Sequence, residues 1–292
     1  MVVLDGGLSN ALADRGHDLS GALWSARLLR DAPDEIGAVH RTYFEAGAVV
    51  ATTASYQASI AGFELYGVGH AEAARLIRLS VTLARDVRDS LATDGTQRWV
   101  AASVGPYGAV LADGSEYRGR YGVPASVLRD FHRERLDLLV SAGPDLLAIE
   151  TIPDVEEAEV LAELLDSYDV PAWFSYSIAG ERTRAGQPLR DAFQVASSPR
   201  SVVAVGINCC APSDVLPAVR IAASTGLPVV AYPNAGEAWD PSSRTWTGLS
   251  SYDAALAPGW IAAGARLVGG CCRVGPSAIH ALASAVLDLR AG

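Results

Sequence analysis

Short runs of apolar, largely β-branched residues recur about every 20 to 55 positions, each followed by a turn cluster and then by apolar positions spaced three or four apart. The runs predict strands at residues 2–4, 48–53, 99–104, 146–150, 172–177, 202–208, 229–233 and 267–270. Helical periodicity predicts amphipathic helices over 71–91, 125–142, 155–168, 214–224 and 252–263, with a closing helix at 277–289. Each is long enough for the crossover that parallel strands require. Eight strands alternating with helices over about 250 to 290 residues match a (β/α)8 TIM barrel, read as a single domain over residues 1–292. An open doubly wound sheet is the alternative. It usually has fewer strands or a glycine-rich fingerprint after the first one, and Gly6-Gly7 is not such a fingerprint. Segments 107–121, rich in Gly and Tyr, and 235–248, with two Trp, read as long loops after strands three and seven, which in a barrel roof the active site.

With 292 residues, 50% of them hydrophobic and 19% charged, the chain can bury a full core without disulfides. A net charge of -10 with no local Lys/Arg cluster argues against nucleic acid or an anionic membrane as partner. All 23 basic residues are Arg. The absence of lysine excludes Schiff-base aldolases, pyridoxal-phosphate enzymes and Walker-type nucleotide binders, which all need its amine. No apolar run approaches the roughly 18 to 20 residues of a membrane span, and the N-terminus lacks the pattern of a secretory signal. The expected location is cytoplasmic, with the four cysteines reduced, and the expected assembly is a monomer or small homo-oligomer.

Polar residues at the predicted strand ends define the candidate chemistry: Asp5-Gly6-Gly7, Ser55-Tyr56-Gln57, Gly105-Pro106, Glu150-Thr151, Ser175-Tyr176-Ser177, Asn208-Cys209-Cys210, Pro233-Asn234 and Gly269-Gly270-Cys271-Cys272. All four cysteines fall in this set. Adjacent Cys271 and Cys272 can ligate one soft metal if the backbone turns sharply, a freedom Gly269-Gly270 supplies. A third thiolate from the end of strand six leaves a fourth tetrahedral position open, as in a catalytic metal site. Strand alternation lets only one of Cys209 and Cys210 point inward, and the other reads as a small core hydrophobe. The competing readings are four buried apolar cysteines or a redox-active vicinal disulfide. The five histidines lie in predicted helices or loops away from strand ends and are not assigned to the metal. Three thiolates on a divalent ion make a poor activator of water but a good holder of a further thiolate, so the residues point to alkyl transfer onto a thiol substrate.

These motifs together, with Ala51-Thr52-Thr53-Ala54-Ser55-Tyr56-Gln57-Ala58-Ser59, Ala148-Ile149-Glu150-Thr151, Gly206-Ile207-Asn208-Cys209 and Tyr232-Pro233-Asn234-Ala235-Gly236-Glu237, resemble the zinc-dependent homocysteine S-methyltransferase family from Asp5 to Cys272. The resemblance implies Zn2+ held by Cys209, Cys271 and Cys272, leaving Cys210 unassigned. It also implies an amino-acid site formed by Asp5, the backbone of Gly6 and Gly7, and Glu150. A carboxylate can hold the homocysteine ammonium, and glycine N–H groups can approach its carboxylate. The alternative readings are Asp5 as the cap of the following helix and Glu150 as a surface residue. Asn234 is expected to bond ligand or neighbouring loops, and Ser55, Tyr56 and Gln57 to shape the sulfur pocket.

Methyl donors in such families are cations, which favour aromatic rings, so Tyr107, Tyr117, Tyr121, Trp173, Tyr176, Trp239 and Trp246 are candidates for a donor pocket. The chain ends 20 residues after Cys272, without the cobalamin and folate modules of methionine synthase or the C-terminal extension of betaine-type enzymes. The resemblance is therefore to the short enzymes that move a methyl group from the sulfonium donor S-methylmethionine, or less efficiently S-adenosylmethionine, to homocysteine. A betaine-type enzyme or a methyltransferase acting on selenocysteine or selenohomocysteine is the alternative within that chemistry. A metal-dependent barrel lyase or hydrolase, and a non-catalytic zinc- or thiol-binding protein, are the alternatives outside it. The lyase or hydrolase would normally need His and carboxylate ligands.

Overall fold

The β-branched runs become eight parallel strands: β1 (Val2–Val3), β2 (Val50–Thr52), β3 (Trp99–Val104), β4 (Leu146–Ile152), β5 (Ala172–Ala179), β6 (Val202–Asn208), β7 (Val229–Tyr232) and β8 (Ala265–Val268). The structure, a computed structural model, describes residues 1–19, 21, 23–240 and 245–291. Each strand from β2 onward pairs in parallel with the next, and β8 pairs with β1. A parallel bridge between Leu4 and Val50 closes the ring, so the architecture is the expected (β/α)8 barrel.

Two apolar layers hold it together. Inside the ring, Leu4, Val50, Ala101, Ala148, Trp173, Ala204, Val230 and Tyr232 form one cluster. Three alanines leave the room that the Trp173 indole fills, the small-and-large alternation by which a narrow barrel packs without voids. Outside it, the helices bury their apolar stripes against the strands. Helix His70–Ser90 buries Ala73, Leu76, Ile77, Val81 and Ala84, spaced three or four apart. Helix Val155–Leu165 starts where the Asp154 side chain accepts from the Glu156 N–H.

The principal differences from the sequence expectation lie in short elements. Helices Leu8–Asp14 and Leu189–Ala196 are only about two turns long, too short for a strong periodic signal. Helix Pro33–Glu45 was likewise not predicted, although Pro33 stands in its first turn, where proline is favoured. The stretch 107–121 holds helix Tyr107–Leu111 and a 3-10 turn at Ser115–Tyr117. The stretch 235–248 holds an antiparallel pair, Ala238–Asp240 with Thr245–Thr247, and the side chains of Trp239 and Trp246 lie outside the described residues. No described helix is long and apolar enough to cross a membrane.

Strands β6 and β7 approach so closely at Gly206 that a Cβ there would lie 1.8 Å from the Val230 carbonyl oxygen. Gly206→Ala is therefore expected to cost more than about 3 kcal/mol in denaturant unfolding, because backbone must move. Gly259→Ala, in helix Ala257–Ala263 with nothing within 4 Å of its Cβ position, should be stabilising by up to about 1 kcal/mol. Equal effects at the two sites would contradict this packing account.

Candidate functional site

The C-terminal end of the barrel carries a cavity lined, among others, by Asp5, Gly6, Gly7, Thr52, Tyr56, Gln57, Glu116, Tyr117, Glu150, Cys209, Cys271 and Cys272. The Sγ atoms of Cys209, Cys271 and Cys272 lie within 4.8 Å of one another, and Cys209 and Cys272 are 3.8 Å apart. A tetrahedral ion with metal–sulfur bonds of about 2.3 Å sets its sulfurs about 3.8 Å apart, so this trio can close on one ion with little movement. Cys209 is buried and the other two are half-buried on the cavity side, which leaves room for an additional ligand.

Backbone bonds from the end of β7 place these sulfurs. Cys209 N–H donates to Tyr232 O on one side of that strand, and Cys271 N–H donates to Pro233 O on the other. Asn234 completes the bridge, its N–H donating to Cys210 O and its Oδ1 accepting from Cys272 N–H at 3.1 Å. Cys209 has a φ of 51°, a left-handed conformation costly for a residue with a Cβ. This turn aims Cys209 into the cavity, while Cys210 joins the outer core and burial pushes its thiol up. Gly269 and Gly270 do not supply the expected left-handed freedom. They are small because Leu4 Cβ would stand 2.6 Å and Val274 Cγ1 2.1 Å from their added Cβ atoms.

Hydrogen bonds from Cys271 and Cys272 hold the Cys209 thiol well below the usual range, and the same bonds hold Cys271 up. The Tyr117 hydroxyl lies 3.3 Å from Cys209 Sγ.

Next to the sulfurs, Asp5 accepts from Thr52 N–H at 2.7 Å and Thr52 Oγ1 at 2.9 Å. Glu150 accepts from the Ser103 hydroxyl and from Tyr232 Oη at 3.0 Å. Burial pushes both carboxyls up to about 7. No described cation forms an ion pair with either. A pair of buried carboxyls without an ion-pair partner among the described residues is suited to receive a ligand ammonium. Glu150 reaches the cavity from a bulge in β4, where pairing with β5 shifts between Ile149 and Ile152. Thr151 there has a φ of 61°, and Asn208 at the end of β6 holds it. Asn208 Oδ1 accepts from Thr151 N–H and Nδ2 donates to Thr151 Oγ1, both at 2.7 Å.

The remaining sequence candidates separate by position. Gly6 and Gly7 line the cavity, but Gly7 N–H is already bonded to Val274 O. Tyr56 and Gln57 line it, whereas Ser55 is buried beside it and donates to Ser103 O. Of the aromatic donor candidates whose side chains are described, only Tyr117 faces the cavity, and Arg184 covers a face of its ring. Trp173 is the barrel filling and donates to Tyr232 Oη. Tyr176 packs on Phe174 and Phe193, and Tyr107 and Tyr121 pack on each other. His40 and His132 lie on the buried faces of helices Pro33–Glu45 and Ala125–Ser141, and neither lies in the thiol cluster.

Arg135 has no sequence signal, because its partners are backbone atoms far away in the chain. Fully buried, it donates through Nη1 to Gly105 O and through Nη2 to Ser55 O and Tyr56 O, tying the β2 and β3 ends that carry Tyr56.

The metal-capable trio at the mouth of a (β/α)8 barrel, beside two buried carboxyls, is chemically suited to a thiol-bearing amino acid. The profile described as "Homocysteine S-methyltransferase" matches residues 2–286, and the chain belongs to that family. It is 46% identical over 291 residues to the homocysteine S-methyltransferase of Escherichia coli (strain K12), covering 97% of this chain and 94% of that one. It is 41% identical over 309 residues to a selenocysteine Se-methyltransferase of Brassica oleracea var. italica, covering 99% and 89%. The crystal structure of the homocysteine methyltransferase MmuM from Escherichia coli in its metallated form superposes with a TM-score of 0.88 at 43% identity, covering 97% of this chain and 96% of that one.

Replacing Arg135 with Met strands three buried carbonyls and should cost at least about 3 kcal/mol in denaturant unfolding, with Arg135→Lys intermediate; a loss under 1 kcal/mol for Met would remove the clamp. The Glu150 carboxyl binds its proton more tightly folded than unfolded. Its contribution to stability therefore falls as pH rises from about 4.5 to about 7. In metal-free protein, Glu150→Gln should flatten that fall, by on the order of 5 °C in Tm across the window. Identical Tm profiles for the two proteins would contradict the shift.

Proposed function

We propose that this chain is a zinc-dependent homocysteine S-methyltransferase that takes a methyl group from S-methylmethionine, less efficiently from S-adenosylmethionine, and produces methionine. The convergence of Cys209, Cys271 and Cys272 to within 4.8 Å, open to the cavity, is the observation that carries this reading. Zn2+ held by these residues would supply a site where a substrate thiol stays ionised at neutral pH.

The protein's own residues orient the reactants. Asp5 and Glu150 receive the homocysteine ammonium, and the free Gly6 N–H lies on the wall where its carboxylate would sit. Asn234 fixes the Cys272 backbone without lining the cavity, and Tyr117 restrains Cys209 through its hydroxyl. Attack is in line: the new S–CH3 bond forms as the donor S–CH3 bond breaks, and the bonding pair leaves on the donor sulfur. Positioning and exclusion of water are the main contributions required from the chain. A cavity of about 140 Å³, small beside the roughly 300 to 1,000 Å³ of drug-sized sites, favours the smaller S-methylmethionine.

The Brassica relative supports a second reading, in which a selenol replaces the thiol as acceptor. Parallel assays with homocysteine and selenocysteine at equal concentration decide between them by kcat/KM.

Cys271→Ser should lose bound zinc and at least about 100-fold in methionine formation, while Cys210→Ser, remote from the cavity in the outer core, should keep the metal and most of the activity. Metal analysis beside a homocysteine and S-methylmethionine assay reads both. Zinc lost from the second variant and kept by the first would show the ligand set to be wrong, and turnover without zinc would remove the thiolate mechanism.

A further inference from the structure

Glu116 is a half-buried residue that the reading above leaves without a task. The 3-10 turn Ser115–Tyr117 carries it over the cavity mouth, and it lines the same cavity as the three sulfurs. Its Oε2 is buried without a hydrogen-bond partner. The nearby Arg118 is exposed and faces Asp113 instead. The setting is already rich in negative charge, since three thiolates and a substrate thiolate exceed the charge of a divalent ion by two. A further anion beside such a cluster is costly unless it takes up a proton or a cation is bound between them.

Glu116 stands on the sulfur side of the cavity, since its neighbour Tyr117 places its hydroxyl 3.3 Å from Cys209 Sγ. There the positive centre of a methyl donor must lie, in line with the attacking sulfur. Tyr117, which lines this cavity together with Tyr56 and Tyr232, already has Arg184 over its ring and its hydroxyl directed to Cys209.

We propose that Glu116 is the specificity-determining residue for the methyl donor, its carboxylate holding the positive charge of the sulfonium and so selecting cationic donors over neutral molecules of the same shape. The inference rests on the sulfonium-donor reading above. The donor's charge disappears as its S–CH3 bond breaks and two neutral thioethers form. Glu116 therefore stabilises bound donor more than the transition state, and its loss acts on KM more than on kcat.

The test uses zinc-loaded enzyme, S-methylmethionine as donor, and as competitive inhibitor 2-amino-5-methylhexanoate, in which a neutral CH replaces the sulfonium. For Glu116→Gln, donor KM should rise about 10- to 100-fold, the range of a charge-assisted contact, with a smaller change in kcat. The Ki of the neutral isostere and the KM of homocysteine should stay within about threefold, with Glu116→Asp intermediate and Tm no lower than in the parent. An unchanged donor KM overturns the proposal, as does equal weakening of donor and isostere, which would mean that Glu116 holds the donor's own ammonium or shapes the loop. Parent enzyme that makes no methionine from S-methylmethionine overturns the functional reading and this inference with it; parent turnover with an unmoved donor-to-isostere ratio overturns the inference alone.

Discussion

The site depends on the backbone bridge at the end of β7. Cys209 and Cys272 are 63 positions apart in sequence, and their sulfurs meet because Tyr232, Pro233 and Asn234 bond to the cysteine segments on both flanks. Parallel pairing puts neighbouring strand ends at the same height, but it does not by itself aim three side chains at one point. The bridge does so by fixing the peptide units next to the cysteines, and it holds Cys209 in a conformation that an unconstrained chain would leave. The metal-capable cluster is thus a property of three adjacent strands acting together.

A second set of supports lies one layer deeper. The β4 bulge turns Glu150 inward, Asn208 satisfies the amide that the bulge removes from the ladder, and Arg135 satisfies three carbonyls where β2 and β3 give way to loops. Polar backbone left unpaired in a dry interior costs about 1–3 kcal/mol per group, so an irregular active-site end is stable only with such partners. The carboxyls of Asp5 and Glu150 have hydroxyl and amide donors but no ion-pair partner among the described residues, and burial pushes both up to about 7. Such a site is less stable empty than filled, as expected where binding rather than folding supplies the missing charge.

Much of this was legible from residue order. Apolar, β-branched runs and period-three-to-four patterning located the eight strands and the long helices, because a parallel strand buried on both faces and an amphipathic crossover each leave a local signal. The cysteines, Asp5 and Glu150 were legible because they directly follow or end predicted strands, the edge where a barrel does chemistry. Arg135 and Asn208 were not, since a residue that serves remote backbone has no local pattern. Trp173 and Tyr176 misled because strand alternation, read without the barrel's radius, does not tell which aromatic fills the interior and which packs outward. Glu116 was missed because it sits within a loop whose short turn has no periodicity.

The indole of Trp173, with the apolar residues around it, plugs the ring beneath the sulfurs. The vessel is therefore blind at its base, and everything that reacts in it shares one doorway.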